Sequence, residues 1–141
     1  MNDRTTLLFA LPGFRVLDVT LEPDGGRVVL VETITNEGGC PSCGVMSSRV
    51  KDRPIRRLKD LPHGNVPLRL WVAKRRFMCN ENRCARGSFT EVSDQIPARS
   101  RLTTRLRSKV RAAVTTTNRA ISEVAGDYGV AWRTVHRILV A

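Results

Sequence analysis

Four cysteines constrain this chain more than any other feature, and they fall into two close pairs. The first pair is Cys40-Pro-Ser-Cys43, followed by Gly44, and the second is Cys79-Asn-Glu-Asn-Arg-Cys84. A Cys-x-x-Cys turn directs two thiolates at one ion, and a second pair brought alongside completes a tetrahedral shell with no open position. The spacing therefore predicts a structural zinc site. Its ligands would be Cys40, Cys43, Cys79 and Cys84.

Two other uses of these thiols must be weighed against zinc. Disulfides need an oxidising compartment, but the apolar segment at residues 7–11 is too short for a secretory signal and runs straight into Pro12-Gly13. A thioredoxin-like redox centre needs one Cys-x-x-Cys at the start of a helix, whereas Cys40 follows strand-like sequence. His63 lies between the pairs, but four cysteines already fill the shell, so we interpret it as a loop residue. Zinc is the favoured interpretation.

Charge points to the kind of partner. The chain has 141 residues, with 24 Lys and Arg against 13 Asp and Glu, which gives a formal net charge of +11. Such a balance is typical of proteins that bind polyanions, nucleic acid above all. Residues 1–39 carry a net charge of −3, whereas residues 40–96 and 97–141 each carry +7. The contact surface is therefore expected to begin at the metal site. The chain has no run of about 18 apolar residues, so we expect no membrane span.

The first two thirds of the chain are predicted to be rich in β structure. The first dozen residues are interpreted as a tail, and residues 14–34 as a β-hairpin with its turn at Pro23-Asp-Gly-Gly26. Residues 49–62 contain prolines and should be extended or irregular. Apolar residues alternate along residues 66–78, which predicts a strand that leads into the second cysteine pair. Residues 89–92 are predicted to form a short strand that runs back. At the end of the strand at residues 66–78, Lys74, Arg75 and Arg76 would be either a solvated sheet edge or part of the partner surface.

From Pro97 onward the apolar period changes to that of helices. Leu102, Leu106, Val110 and Val114 recur every four residues, which predicts an amphipathic helix with Ser100 as its N-cap.

Residues 121–139 then place a small residue fifth, a glycine ninth and a valine fifteenth, at Ala125, Gly129 and Val135. This is the helix-turn-helix pattern, because a crossing helix needs a small residue, a sharp turn and an apolar anchor there. An ordinary helical hairpin is the alternative. The predicted outward face is Trp132, Arg133, His136 and Arg137, and the basic residues of the preceding helix would meet phosphates. Those residues are Arg101, Arg105 and Lys109.

The ordered motifs together resemble a known family. They are Cys-Pro-x-Cys-Gly, Arg-x-Leu-x-Asp-Leu-Pro at residues 56–62, Arg-Arg-Phe-x-Cys at residues 75–79, and Gly-Val-x-Trp-Arg-Thr-Val at residues 129–135. From about Val28 onward the chain resembles the N-terminal part of bacterial insertion-sequence transposases of the ISL-three group. The resemblance implies a zinc-binding module, a helix-turn-helix and then a DDE catalytic domain. It also implies the four cysteine ligands and a recognition segment from Val130 to Leu139.

Two departures from the family pattern stand out. Only Glu123 and Asp127 are acidic beyond residue 94, so a catalytic acidic triad is not expected in this chain. Ala131 stands where a capping serine would be expected, and its lack of an oxygen should weaken the recognition helix by about 1 kcal/mol.

These observations predict an α+β chain with a small β-rich zinc-binding module at residues 1–96 and a helix-turn-helix unit at residues 97–141. The expected function is recognition of double-stranded transposon-end DNA by a truncated or split transposase, in the cytoplasm and associated with the bacterial nucleoid. The chain would not be an enzyme by itself. One alternative is a zinc-stapled assembly module that pairs with a full-length transposase or with itself. Another is an RNA-associated zinc ribbon.

Overall fold

A computed structural model describes residues 3–141 and confirms the α+β class. The helices are α1 (Arg4–Phe9), α2 (Thr104–Thr115), α3 (Ile121–Tyr128) and α4 (Trp132–Val140). The strands are β1 (Phe14–Leu21), β2 (Arg27–Thr33), β3 (Gly38–Gly39), β4 (Met46–Ser47), β5 (Val50–Asp52), β6 (Ile55–Lys59), β7 (Leu68–Ala73), β8 (Arg76–Met78) and β9 (Ser88–Thr90).

The strands form three sheets. Strands β3 and β4 make a short antiparallel ribbon, and a three-stranded antiparallel sheet has the order β5-β8-β9. A four-stranded sheet has the order β1-β2-β7-β6. Strands β1 and β2 occupy the two arms of the predicted hairpin, and Glu22 N–H donates to the Gly26 carbonyl at 2.8 Å across their turn. Gly25 takes the positive φ of 88° that this turn requires.

The chain divides into two compact units, each assembled from three segments. The first contains residues 1–19, 29–57 and 71–93, and the second contains residues 20–28, 58–70 and 94–141. In the first unit, the rings of Phe77 and Phe89 lie 5.6 Å apart and pack on Cys40. A β-carbon at Gly38 would lie 3.2 Å from the Phe77 ring, so a larger residue there would have to displace the ring by a few tenths of an ångström. The single boundary at residue 96 stays a prediction.

The core of the second unit is apolar and joins all three of its helices. Helix α2 contributes Leu106, Val110 and Ala113, helix α3 contributes Val124 and Ala125, and helix α4 contributes Val135 and Ile138. The predicted four-residue period of α2 is therefore confirmed. Its predicted N-cap is wrong, because Thr103 accepts the Leu106 N–H at 3.3 Å, whereas the Ser100 hydroxyl donates to the Leu102 carbonyl at 2.7 Å.

The N-terminal residues are not a tail where the structure describes them. Helix α1 begins after Asp3, whose carboxylate caps it by accepting the Thr6 N–H at 2.7 Å. Phe9 and Leu11 are buried. The Thr6 hydroxyl also accepts the Val16 N–H at 3.0 Å, which ties the helix to β1. A six-residue helix with one apolar turn is too short for its period to show in the sequence.

The predicted strand at residues 66–78 is two strands, separated by Lys74 and Arg75. The Lys74 N–H turns back to the Val72 carbonyl at 2.9 Å and also bonds to the Pro54 carbonyl at 3.0 Å. Arg75 is buried, and its guanidinium contacts the Glu91 carboxylate at 3.3 Å as well as the Thr33 hydroxyl. Burial, with the charge of Arg56, lowers the pKa of Lys74. Neither expectation for these two residues holds, because they are interior rather than a solvated edge or a partner surface.

Candidate metal centre and nucleic-acid interface

The first cysteine pair lies on the tight connection between β3 and β4. Cys40 N–H donates to the Val45 carbonyl at 3.1 Å, and Gly44 N–H donates to the Cys40 carbonyl at 2.8 Å. Gly44 closes this turn with a φ of 77°, which a residue with a β-carbon rarely adopts. Both thiols are therefore held at one end of the ribbon, with Cys40 buried and Cys43 exposed.

The second pair follows β8 and reaches the same place. The Cys79 N–H donates to the Gly87 carbonyl at 2.8 Å, and the Cys84 N–H donates to the Glu81 carbonyl at 3.0 Å. The Sγ atoms of Cys40 and Cys84 are 3.9 Å apart, and those of Cys43 and Cys79 are 3.5 Å apart. All four sulfurs lie within 4.8 Å of one another.

These distances fit a metal and not a disulfide. Zinc–sulfur bonds of about 2.3 Å place tetrahedral sulfurs about 3.8 Å from each other, whereas bonded sulfurs are about 2.05 Å apart. The four cysteines are free and are positioned to bind one metal ion. His63 is exposed and lies on a small β-bridge with Val66, so it stands outside this cluster.

The surroundings of the thiols shift their pKa values in different directions. Burial raises the pKa of Cys40, but the backbone N–H groups of Cys43 and Ser42 outweigh it and lower that pKa to about 7. At Cys43 the backbone N–H of Val45 lowers the pKa, whereas burial and the neighbouring thiols raise it, to about 12. Four adjacent thiolates repel one another. A bound cation would favour all four and release their protons to solvent.

The helix-turn-helix geometry is present in the second unit. Helix α3 ends at Gly129, whose φ of 67° is the left-handed conformation that terminates a helix. Its N–H donates to the Gly126 carbonyl, and the next N–H, of Val130, donates to the Ala125 carbonyl at 3.0 Å. Val135 is fully buried in the cluster that contains Val124. The three residues that predicted the motif therefore have the expected roles: Ala125 and Val135 lie in the core, and Gly129 ends α3.

The outer face of α4 is exposed. Trp132, Arg133, His136 and Arg137 all lie on the solvent side, whereas Val135 and Ile138 face the core. The rings of Trp132 and His136 stack with centroids 5.3 Å apart and planes inclined by 9°. This pair forms a flat aromatic surface beside two guanidinium groups. Ala131 is the N-cap of this helix and provides no side-chain cap, as the sequence predicts.

Comparison with protein families agrees with both sites. The family model of the helix-turn-helix domain of transposase family ISL3 matches residues 90–141. The family model of the zinc-finger of transposases IS204/IS1001/IS1096/IS1165 matches residues 36–84. This chain carries the zinc finger and the helix-turn-helix of ISL3-family transposases. No curated protein and no solved structure matches it. The two matched domains are the non-catalytic ones of such a transposase.

The ISL3 helix-turn-helix match begins at residue 90, but residues well before it hold that unit together. Asp60 has a fully buried carboxylate, which accepts from Arg105 through Nε at 2.9 Å and through a terminal nitrogen at 2.5 Å. It also accepts the Thr103 hydroxyl at 2.7 Å. The sequence predicted phosphate contacts for Arg105, but in the structure its guanidinium is paired with the Asp60 carboxylate. By contrast, Arg101 and Lys109 are exposed.

Lys59, next to Asp60, is a second contact that sequence reasoning missed. Its ammonium donates to the Gly129 carbonyl at 3.0 Å, at the turn between α3 and α4. Its backbone bonds to Arg101 and Thr103 in a parallel bridge at residues 59 and 102. The Arg-x-Leu-x-Asp-Leu-Pro motif specifies Asp60 but leaves position 59 open, so the sequence marked Asp60 without showing its purpose and did not mark Lys59. In this chain the motif therefore supports the helix-turn-helix.

Proposed function

We propose that this chain is the DNA-binding part of an ISL3-family transposase, that it recognises the ends of an insertion sequence, and that it transfers no strands by itself. One observation carries the proposal: a glycine-terminated helix-turn-helix presents an exposed basic and aromatic face on its second helix. Such a helix fits the major groove. The two matched domains are non-catalytic ones of the family, which supports the expectation that they carry out no two-metal phosphoryl transfer.

We further propose that the four cysteines hold zinc. A closed shell of four thiolates suits a structural ion, whose chemistry is to stabilise the fold and not to activate water. In functional terms, residues 1–96 would form the zinc-binding module and residues 97–141 the DNA-binding unit. No helix in the described part of the chain is long and apolar enough to cross a membrane. We infer that the protein acts in the cytoplasm, where it would bind DNA of the nucleoid.

We expect the exposed side chains of α4 to contact bases and the exposed basic residues of the preceding segment to contact phosphates. Arg133 lies in the first turn of α4, where a recognition helix meets base edges, and a guanidinium there can bond to both acceptors of a guanine. His136, Arg137 and the Trp132 ring lie on the same face and would contact neighbouring bases or sugars. Arg101 and Lys109 would meet phosphates, which fixes register without reading sequence.

The test begins with selection of a preferred duplex from random sequence by the wild-type chain. Binding of that duplex and of a scrambled one is then measured by fluorescence anisotropy at fixed salt. Arg133→Ala should weaken the selected duplex by about 1–3 kcal/mol and reduce the preference over the scrambled one. Arg4→Ala, which changes an exposed arginine on α1, is the matched control. Failure to select any consensus, or equal losses on both duplexes, would contradict base reading by α4.

Catalysis is tested separately with the selected duplex and with magnesium or manganese. We expect no nicking and no joining by the purified chain. Cleavage that persists through further purification and follows the protein peak would overturn this part of the proposal. Comparison of the selected consensus with the DNA that flanks the gene tests whether the target is the end of the element.

A further inference from the structure

Several basic residues of the first unit have an acidic or aromatic partner. Arg15 pairs with Glu32 at 2.9 Å, Arg75 with Glu91 at 3.3 Å, and the Arg57 guanidinium lies 4.8 Å from the centre of the Trp71 ring. The stretch from Arg49 to Arg53 is different. Within residues 3–141, the side chains of Arg49, Lys51 and Arg53 have no acidic or hydrogen-bonding partner, and all three are exposed. We call these three residues the β5 cluster.

The acidic residue inside this cluster does not neutralise it. Asp52 is directed to the neighbouring strand, where its carboxylate pairs with Arg76 at 3.2 Å. The arrangement leaves three uncompensated cations on five consecutive residues, which span about 13 Å in an extended chain. A single strand of duplex DNA carries about four phosphates over the same length of helix axis. The charge density of the cluster therefore matches that of a nucleic-acid backbone.

Backbone geometry presents Lys51 outward. Strand β5 is an edge of the three-stranded sheet and pairs only with β8. Val50 lies opposite Phe77 and Asp52 lies opposite Arg76, so Lys51 is an extra residue with no counterpart on β8. A bulge of this kind re-aims a side chain and is common beside functional sites.

Hydrogen bonds join this strand to Met78, the residue that precedes Cys79. The Met78 N–H donates to the Arg49 carbonyl at 2.7 Å. The buried Ser47 hydroxyl donates to the Met78 carbonyl at 2.5 Å and accepts the Arg49 N–H at 3.2 Å. Strand β5 is thus bonded to the residue that leads into the second cysteine pair, so a metal at the cysteines would also order the cluster.

We propose that the β5 cluster is a second DNA-binding surface, which contacts the phosphates of duplex DNA independently of sequence. The first unit would then contact DNA itself, in addition to any stabilisation that its metal site provides. The proposal rests on DNA binding by the helix-turn-helix, because that activity is what makes duplex DNA the favoured polyanion over an acidic protein.

The test is the salt dependence of affinity for an extended duplex that contains the selected site and flanking DNA. Arg49→Gln/Lys51→Gln/Arg53→Gln should lower the slope of log affinity against log salt by about two to three, since each lost phosphate contact removes about 0.9. The preference for the selected over the scrambled sequence should stay unchanged. Arg4→Gln/Arg27→Gln/Arg69→Gln removes the same charge from other parts of the chain and should change the slope much less.

Each outcome decides the proposal. If the triple variant misfolds, as judged by circular dichroism and zinc content, Lys51→Gln alone should lower the slope by about one. A wild-type slope for a folded variant overturns the proposal, and new self-association with that slope would show that the charges only protect a sheet edge. A wild-type slope combined with lost binding to an acidic protein would assign the cluster to a protein partner. If the wild-type chain binds no duplex at all, both this proposal and the proposed function fail.

Discussion

Asp60 shows how one residue can join distant parts of a sequence into a single unit. Its carboxylate is fully buried and accepts from the Arg105 guanidinium and from the Thr103 hydroxyl. The hydroxyl of Thr103 also caps α2, so the carboxylate stabilises the start of that helix through its capping residue. A buried carboxylate with three donors is stable only while its cation remains in place.

Arg105→Ala should therefore reduce stability more than it reduces affinity for DNA. Removing the guanidinium leaves a buried charge with only a hydroxyl partner, and we expect a loss of about 3 kcal/mol in the free energy of unfolding. Urea denaturation followed by circular dichroism measures it. Arg101→Ala changes an exposed neighbour and should alter stability by less than about 0.5 kcal/mol. Equal stability of the two variants would show that the buried pair contributes nothing.

At the scale of elements, the N-terminus of α4 lacks a side-chain cap. Ala131 occupies the N-cap position with extended backbone, and no side chain accepts a hydrogen bond from the first turn. Helix α3 begins in the same way at Ala120. Uncapped short helices open readily at their ends. We expect α4 to fray in the free protein and to become ordered on DNA.

Ala131→Ser should therefore stabilise α4 by about 1 kcal/mol, because the serine oxygen can accept an N–H of the first turn. Amide hydrogen exchange should slow in the first turn of α4, and affinity for DNA should increase severalfold. Ala120→Ser is the matched control, since it caps α3 equally well and leaves the recognition helix unchanged. If both variants tighten DNA binding by the same factor, general stabilisation of the unit and not ordering of α4 is responsible.

The elements that sequence predicted best are those whose pattern is local. The alternation of Leu68, Leu70 and Val72 predicted a strand, and β7 confirms it. The small-residue, glycine and valine positions predicted a helix-turn-helix, and the turn at Gly129 confirms it. Failures occurred where a distant partner decides the outcome. Arg75 looks like a surface cation until Glu91 is brought beside it. The four thiols were predictable because spacing alone limits their chemistry, whereas the pairing of residues 60 and 105 depends on tertiary structure.

At the scale of the whole molecule, each unit has its own core, and the metal site belongs to only one of them. Three of the cysteines, Cys40, Cys79 and Cys84, pack with Phe77 and Phe89 in the first unit, and the helices α2, α3 and α4 share a separate apolar cluster. Loss of the metal should therefore affect the two units unequally.

Cys79→Ser, or removal of zinc with a chelator, should unfold the first unit and leave most helical structure intact. Zinc typically contributes about 10 kcal/mol or more to a small domain, which exceeds the stability such a domain has without it. Metal analysis should find one zinc per wild-type chain, and near-ultraviolet circular dichroism should report loss of the aromatic packing. Fresh reduced protein without zinc, or an unchanged melting curve for the variant, would contradict the prediction.

The interleaved segments also bear on how genes of this kind can recombine. Asp60 lies within the segment that the zinc-finger family model matches, but its cation lies in the helix-turn-helix match. A crossover between residues 84 and 90 would exchange one half of this pair without the other. We expect chimeric genes with such a breakpoint to persist only when both parents carry the same aspartate and arginine. The inherited unit is then larger than the helix-turn-helix match, because it includes Asp60 as well.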